Sequence, residues 1–102
     1  MLTTMLYVVS KPGIVGQILN DEAVLLLPTK GEVKVLNDVG ARIWSLADGS
    51  RTIAQIVAVI AAEYAVQPAQ AEADALAFVA ELAQRDIVVL SAEPLATAIR
   101  AQ

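Results

Sequence analysis

The feature that most constrains the fold is a short alternating segment followed almost at once by three segments of helical period. Val33-Lys34-Val35-Leu36 places its two valines on one face and its lysine on the other, as in a strand. Asn37 then suits a helix N-cap, and apolar residues recur at helical spacing up to about Arg85. The pattern predicts a strand that ends a small sheet and lies beside the last of three helices.

Local signals mark the start or the end of each predicted helix. The first, Asp38–Ala47, begins with an acidic residue at the positive end of the helix dipole and stops at Asp48-Gly49-Ser50. The second follows Thr52, which is spaced to form a capping box with Gln55. The third begins at Pro68, a residue suited to the first turn of a helix. These signals predict three helices with short connections.

The N-terminal third carries the signals of strands and tight turns. Predicted strands are Leu6–Val9, Ala23–Pro28 and Val33–Leu36, with a weaker extended piece at Ile14–Leu19 that contains Gly16. The turn Thr29–Glu32 contains Gly31, which favours positive φ, so the last two strands are predicted to form an antiparallel hairpin. We expect the N-terminal strand to complete a three-stranded sheet.

The order of these elements predicts an α+β fold. A three-stranded N-terminal antiparallel sheet, three helices and a final strand at Asp86–Leu90 in the position of a wing suggest a winged helix-turn-helix. A chain of 102 residues has room for one core, so we predict a single domain over residues 1–102. Its core would span about 5–91, and 92–102 would form a weak helix or tail.

The composition disfavours an enzyme. The chain has neither cysteine nor histidine, which excludes disulfides, thiolate metal sites and Ser–His or Cys–His nucleophile pairs. Ser45, Ser50 and Ser91 therefore have no evident base, and Lys30-Gly31 matches no phosphate loop. We predict no catalytic residue, no metal site and no cofactor.

The charge pattern disfavours nucleic acid and membranes as partners. The net charge is -4, and we expect the basic residues not to cluster. The second and third helices carry Glu63, Glu72, Asp74 and Glu81 against Arg85 alone, so a winged-helix DNA-binding regulator is a disfavoured alternative. The apolar run Met5–Val9 is too short for a signal peptide, and no window is long enough to span a membrane. These observations predict a cytoplasmic protein.

A strand at the end of a sheet has unpaired backbone groups, which are either protected or paired with a partner strand. Val33–Leu36 is in this position if it ends the sheet. The alternatives are an ordinary edge protected by Lys34 and a homodimer joined edge to edge. The last helix carries a wide apolar arc, whose second stripe is Ala71, Ala75, Phe78 and Leu82. Spacing leaves open whether Phe78 and Leu82 are core or pocket residues, and whether Trp44 is core or pocket wall.

The ordered motifs of residues 20–90 are similar to those of a known family. The chain resembles the PqqD-like family, the peptide-recognition elements of ribosomally made and modified peptides, in the runs Val35–Trp44, Ala47–Gly49, Arg51–Ile56, Glu63-Tyr64 and Glu72–Val79 and at Leu82. It looks most like the leader-binding proteins of lasso-peptide pathways. The family member of the quinone-cofactor pathway is the alternative.

The resemblance implies a winged helix-turn-helix fold and a binding role without catalysis. The leader of a precursor peptide would dock as an extra strand along Val33–Leu36, against the third helix. Apolar pockets would come from Ala71, Ala75, Phe78 and Leu82. Polar contacts from Asp74 and Arg85 would set the register of the leader. The protein would then deliver the leader to a leader peptidase, followed by a cyclase, or to another modifying enzyme.

Overall fold

The computed structural model describes residues 3–27 and 30–94. The described residues form three helices and six strands, and the strands make two antiparallel three-stranded sheets. The strands are β1 (Tyr7–Ser10), β2 (Val15–Leu19), β3 (Glu22–Leu27), β4 (Glu32–Leu36), β5 (Asp48–Thr52) and β6 (Val88–Ser91). The helices are α1 (Asp38–Leu46), α2 (Ile53–Tyr64) and α3 (Pro68–Gln84). The prediction of a mixed α+β fold with three helices is confirmed.

The sheet that contains β4 differs from the predicted one in its third strand. Its order is β2-β3-β4, so the weak extended piece with Gly16 supplies the third strand. The N-terminal strand β1 lies instead at the centre of the other sheet, between β5 and β6. Val8 and Val9 are both buried, and consecutive strand residues point to opposite faces, so β1 needs cover on both sides. The predicted role of the N-terminal strand was therefore wrong.

Strand β5, which begins directly after the end of α1, was not predicted from the sequence. The helix ends before Asp48, as predicted, but Asp48–Thr52 then pairs with β1 as strand β5. This segment reads Asp-Gly-Ser-Arg-Thr, which has little of the β-branched and aromatic character typical of strands. Its extended conformation depends on pairing with a distant part of the chain.

Local capping signals are confirmed by hydrogen bonds. The Asn37 side chain accepts a bond from the Gly40 backbone N–H at 2.8 Å, which starts α1 directly after β4. Thr52 and Gln55 form the reciprocal capping box at the start of α2. Gly31 has φ +63°, as expected for the turn before β4, while Pro28 and Thr29 of that turn lie outside the described residues. The Asn37 cap therefore sets where β4 ends and α1 begins, and the Thr52–Gln55 box sets where α2 begins.

The hydrophobic core lies between the two sheets and the buried stripes of the helices. Its largest fully buried side chains are Leu25, Ile53, Ile56, Leu82, Ile87, Val8, Val9 and Val79. Strand β3 contributes Ala23, Leu25 and Leu27 from one face, and β4 contributes Leu36. This face of the β2-β3-β4 sheet is therefore covered by the helices. Among the described residues, no helix is long and apolar enough to cross a membrane. The predicted tail is described only as far as residue 94, and 95–102 lie outside the described residues.

Trp44 is half-buried and lies over Gly16 of β2. A Cβ built on Gly16 would overlap the indole ring, with Cζ2 at 2.8 Å. The buried indole Nε1 has no hydrogen-bond partner among the described residues, so packing rather than polar contact holds the ring. The glycine that weakened the prediction of a strand is thus the residue that lets the ring approach the sheet.

We expect Gly16→Ala to destabilise the protein by about 1–2 kcal/mol, because the rigid indole must move to admit a methyl group. Urea unfolding should show a lower midpoint with an unchanged slope. Gln17→Ala, at an exposed neighbour on the same strand, is the matched control and should change stability much less. An unchanged midpoint for Gly16→Ala would show that the ring is not held against β2.

Candidate functional site

Strand β4 lies at one end of its sheet. It pairs with β3 from Ala23↔Leu36 to Leu27↔Glu32, and in the described part of the chain no strand pairs with its other side. Residues of an antiparallel strand alternate between directing their N–H and C=O groups to one neighbour and to the other. Half of the β4 backbone groups are therefore free to bond an added strand. The β2 strand forms the opposite edge of the same sheet.

The two faces of β4 have different surroundings. Val33 and Val35 point away from the helices and are 59% and 61% exposed. Lys34 and Leu36 point to the helix side, where Leu36 is buried and Lys34 reaches α3. A strand added to β4 would continue this pleat, so alternate side chains would face α3 and the others would lie beside the exposed valines.

An ion pair joins β4 to α3. Lys34 Nζ donates to Glu81 Oε2 at 2.8 Å, with the lysine side chain 19% exposed and the glutamate side chain 49% exposed. The hydrogen bond from Lys34, reinforced by its charge, lowers the pKa of Glu81 below the ordinary glutamate value. The pair is therefore fully formed at neutral pH, and its contribution is lost as the pH falls through that lowered pKa. We call the surface between the open edge of β4 and α3, at Lys34, Leu36, Phe78 and Glu81, the β4–α3 groove.

Phe78 marks the end of the groove at which β4 runs into α1. A Cβ on Gly40, in the first turn of α1, would lie 3.2 Å from Phe78 Cζ and 3.2 Å from Asn37 Oδ1. The ring is half-buried and packs partly on the core. The ring is therefore a core contact that also leaves apolar surface accessible. The two interpretations that its spacing left open, core residue and pocket residue, do not exclude each other.

Three of the residues expected to line pockets are core residues. Ala71, Ala75 and Leu82 are at most 3% exposed and share the buried stripe of α3 with Val79. Their side chains are covered by the protein's own core, so they do not form open pockets in this structure. Helical period showed that α3 has a wide apolar arc, but it could not show which part of the arc the core would cover.

The remaining predicted residues are exposed polar groups on or next to α3. Asp74 lies one turn before Phe78 and accepts a hydrogen bond from Gln70 Nε2 at 2.9 Å. Arg85 follows the last residue of α3, at the opposite end of the groove from Phe78. Glu81 was not among the predicted site residues. The signal that could have found it was Lys34, which alternation along β4 places on the face opposite the two valines, towards the helix that carries Glu81.

The face of the sheet opposite the helices is apolar and exposed. Its exposed large side chains, each at least 46% exposed, are Val15, Leu19, Leu26, Val33 and Val35. Cross-strand pairing places Leu26 between Val15 on β2 and Val33 on β4, so these residues are contiguous. We call this surface the outer apolar face. Contiguous exposed apolar side chains are typical of protein contact surfaces.

The described residues contain no group of three His, Cys, Asp or Glu side chains that could hold a metal ion. The features brought together are instead an open strand edge, a groove with an aromatic ring and an ion pair, and an apolar face. Backbone pairing with a few side-chain anchors is the chemistry that such a surface supports.

The chain is similar to a described protein family and to solved structures. Residues 22–88 match the family described as coenzyme PQQ synthesis protein D (PqqD). The solved structure of TbiB1 in complex with the TbiA(beta) leader peptide is 34% identical, with a TM-score of 0.73 over 78% of this chain and 93% of that one. No curated protein matches.

A second solved structure is the solution NMR structure of the PqqD truncation of Methylobacterium extorquens PqqCD. It is described as a functional and stand-alone recognition element for ribosomally synthesized and post-translationally modified peptides. It is 28% identical, with a TM-score of 0.68 over 80% of this chain and 87% of that one. Both solved structures thus share this fold over most of their length.

Proposed function

This chain belongs to the PqqD family, and from that membership we propose that it is a recognition element that binds the leader of a ribosomal precursor peptide by strand addition to β4. The observation that supports this most is the unpaired edge of β4 beside the half-buried ring of Phe78. The similar protein solved with a leader peptide supports the class of ligand. The proposed role is binding without catalysis.

Strand addition divides the work between backbone and side chains. The open N–H and C=O groups of β4 supply affinity that does not depend on the leader sequence. Ordering a flexible leader costs conformational entropy, so a few well-placed side chains must supply the rest. We assign Phe78 as the apolar anchor, the Lys34–Glu81 pair as the polar floor of the groove, and Asp74 and Arg85 as polar contacts at its two ends.

Titration of a fluorescein-labelled leader tests this function. We take as the probe the leader of any short precursor peptide encoded beside this chain's gene, and call it the cognate leader below. Fluorescence anisotropy should show saturable one-to-one binding with a Kd of about 10 µM or tighter, as expected for a few buried anchors. A scrambled leader of the same composition is the control. Equal binding of both peptides, or no binding of the cognate leader, would contradict the proposal.

The pathway is a finer part of the proposal. The sequence looks most like the leader-binding proteins of lasso-peptide pathways, and we propose that pathway, with a peptide chaperone of pyrroloquinoline quinone biosynthesis as the alternative. Precursor peptides are made by ribosomes in the cytoplasm, so the proposal includes a cytoplasmic location. The neighbouring genes decide between the pathways. Lasso biosynthesis requires a transglutaminase-like protease and an asparagine-synthetase-like cyclase beside a short precursor gene.

Delivery requires a contact with the processing enzyme, and we propose that the outer apolar face makes it. A leader strand paired with β4 would widen this face, so an enzyme that covers it would also meet the leader. Leu19 and Leu26 belong to this face but lie on β2 and β3, away from the open edge. They can therefore be changed without altering the leader site.

We expect the double variant Leu19→Gln/Leu26→Gln to slow leader cleavage by the pathway's peptidase about tenfold, because it removes apolar contact area worth about 1–2 kcal/mol. Anisotropy should show an unchanged Kd for the cognate leader. Gln17→Ala, on the same face but polar in the parent, is the control. If cleavage proceeds at the parental rate, the peptidase docks elsewhere.

The helices also bear on the alternative of a winged-helix DNA-binding regulator. We interpret α2 and α3, followed by β6, as a winged helix-turn-helix arrangement, because β6 follows α3 as a wing strand would. Neither α2 nor α3 contains a lysine or arginine, while both carry acidic residues. A recognition helix without cations lacks the phosphate contacts that dominate DNA affinity. A gel shift at low salt should therefore show no binding.

A further inference from the structure

Cations that are far apart in the sequence come together at one end of the β4–α3 groove. A cavity of about 520 Å³ has Lys11, Lys30 and Arg85 in its wall, with Asp86 as its acidic member and Ile14 and Leu27 among its apolar ones. The chain has 7 lysines and arginines, and 3 of them line this one cavity although the net charge is -4. The expectation that the basic residues do not cluster was therefore wrong, because the fold brings residues from distant parts of the chain together. We call this site the basic cavity.

Tight turns hold the walls of the basic cavity. The Ile14 N–H donates to Lys11 O at 3.2 Å, and the Lys11 N–H donates to Ile87 O at 2.8 Å, which ties the first wall to the residue just before β6. The Lys30 N–H donates to Leu27 O at 3.0 Å in the turn before β4. The Arg85 N–H closes the last turn of α3 on Glu81 O at 3.1 Å. The three cationic side chains thus start from fixed backbone positions.

The positive charge of the cavity is only partly neutralised by the protein. Lys11 lies 3.8 Å from Asp86, and both side chains are exposed, so this pair is weak. Within residues 3–27 and 30–94, neither Lys30 nor Arg85 has a carboxylate within ion-pair distance. Arg85 is close enough to contribute to the lowered pKa of Glu81, but that carboxylate is bonded to Lys34. The site can therefore accept a further negative charge.

The basic cavity lies beyond the end of the β4–α3 groove that is farther from Phe78, and none of the four groove residues lines it. Lys30 lies in the turn before β4, and Arg85 directly follows α3. The Lys34–Glu81 pair joins the same two elements, β4 and α3, closer to Phe78. A leader strand paired along β4 would reach this cavity as it passes Glu32. Glu32 itself is exposed and is not part of the cavity wall.

We infer that the basic cavity binds an aspartate or glutamate side chain of the leader, at the end of the guest strand nearest Glu32. The inference rests on the proposed function and adds a sequence requirement to it. A ribosomal peptide offers carboxylates as its only side-chain anions near neutral pH, and charge-assisted bonds from lysine and arginine are the contacts that recognise them. The cavity would then set the register of the leader, because one acidic residue must reach it while an apolar residue contacts Phe78.

A double-mutant cycle tests the inference. On the protein, Lys30→Gln/Arg85→Gln removes two cavity cations, and Arg51→Gln, at a half-buried cation paired with Asp48, serves as the charge control. On the cognate leader, each aspartate and glutamate is changed in turn to its amide. One amide should weaken binding to the parent about tenfold, as expected for a charge-assisted contact, and should change binding to the double variant less than twofold. Arg51→Gln should leave the full effect of the amide in place.

Other outcomes overturn the inference and leave the function intact. They are a leader whose bound segment has no acidic residue, a double variant that binds like the Arg51→Gln control, and amide effects that do not depend on Lys30 and Arg85. If inorganic phosphate displaces the leader but no amide matters, the cavity is a site for free anions. Thermal unfolding of each variant separates folding from binding. Failure of the parent to bind the unmodified leader would instead contradict the proposed function.

Discussion

Proline at one of two neighbouring positions on β4 should weaken binding of the cognate leader by about 100-fold or more, equivalent to roughly 3 kcal/mol, while the protein stays folded. Lys34 and Val35 are adjacent, so one directs its N–H to β3 and the other directs it to the open edge. Proline has no N–H and is tolerated on the open side of an edge strand. The proline whose missing N–H faces the open edge should therefore remove a leader contact without breaking the hairpin.

The comparison needs four variants: Lys34→Pro, Val35→Pro and the alanine variant at each position. Anisotropy gives the affinity for the leader, and thermal unfolding shows which proline breaks the β3–β4 pairing. The alanine variants control for loss of the Lys34–Glu81 pair and of the Val35 side chain. Strand addition to this edge is excluded if the folded proline variant binds the leader as well as its alanine counterpart.

Phe78→Ala should weaken binding of the cognate leader about 30-fold, which corresponds to roughly 2 kcal/mol, the loss typical of a central aromatic anchor. The ring packs over Gly40 at the end of the groove, so its removal leaves a gap where an apolar leader side chain would rest. Stability should also fall, but by less than the roughly 3–5 kcal/mol expected for a fully buried phenylalanine, because the ring is only half-buried.

Leu76→Ala is the matched control for Phe78→Ala. Leu76 is also half-buried and lies on the same helix, two residues away and hence on a different face. Its truncation should lower the midpoint of unfolding without changing the leader Kd. Equal losses of affinity in the two variants would mean that Phe78 acts through the stability of α3 rather than through contact with the leader.

The sequence alone predicts the features of this protein that depend on near neighbours. The Asn37 cap, the Thr52–Gln55 capping box and the turn at Gly31 each involve residues within a few positions, and the structure has them as predicted. The partner of β1 was not predictable in the same way. Two buried valines indicate cover on both faces, but not which strands provide it. Pairing with β5 and β6 depends on contacts across most of the chain.

The candidate site shows the same division. Alternation along β4 separates the exposed valines from Lys34, and the structure agrees. Period along α3 could not separate Phe78, which is half-buried, from Ala71, Ala75 and Leu82, which the core covers. The basic cavity was not visible in the sequence at all, because Lys11, Lys30 and Arg85 come from three distant turns.

The most direct measurement of the central claim is amide hydrogen exchange with and without the cognate leader, because the sheet has two edges that can be compared in one experiment. At a leader concentration of 100 times Kd, binding slows exchange of the amides it covers by up to about 100-fold. We predict this protection for alternate amides of Glu32–Leu36, with no change for the β2 edge, Val15–Leu19. Two results would contradict the claim that the leader pairs with β4. One is protection confined to the β2 edge, and the other is unchanged exchange along all of β4 at saturating leader.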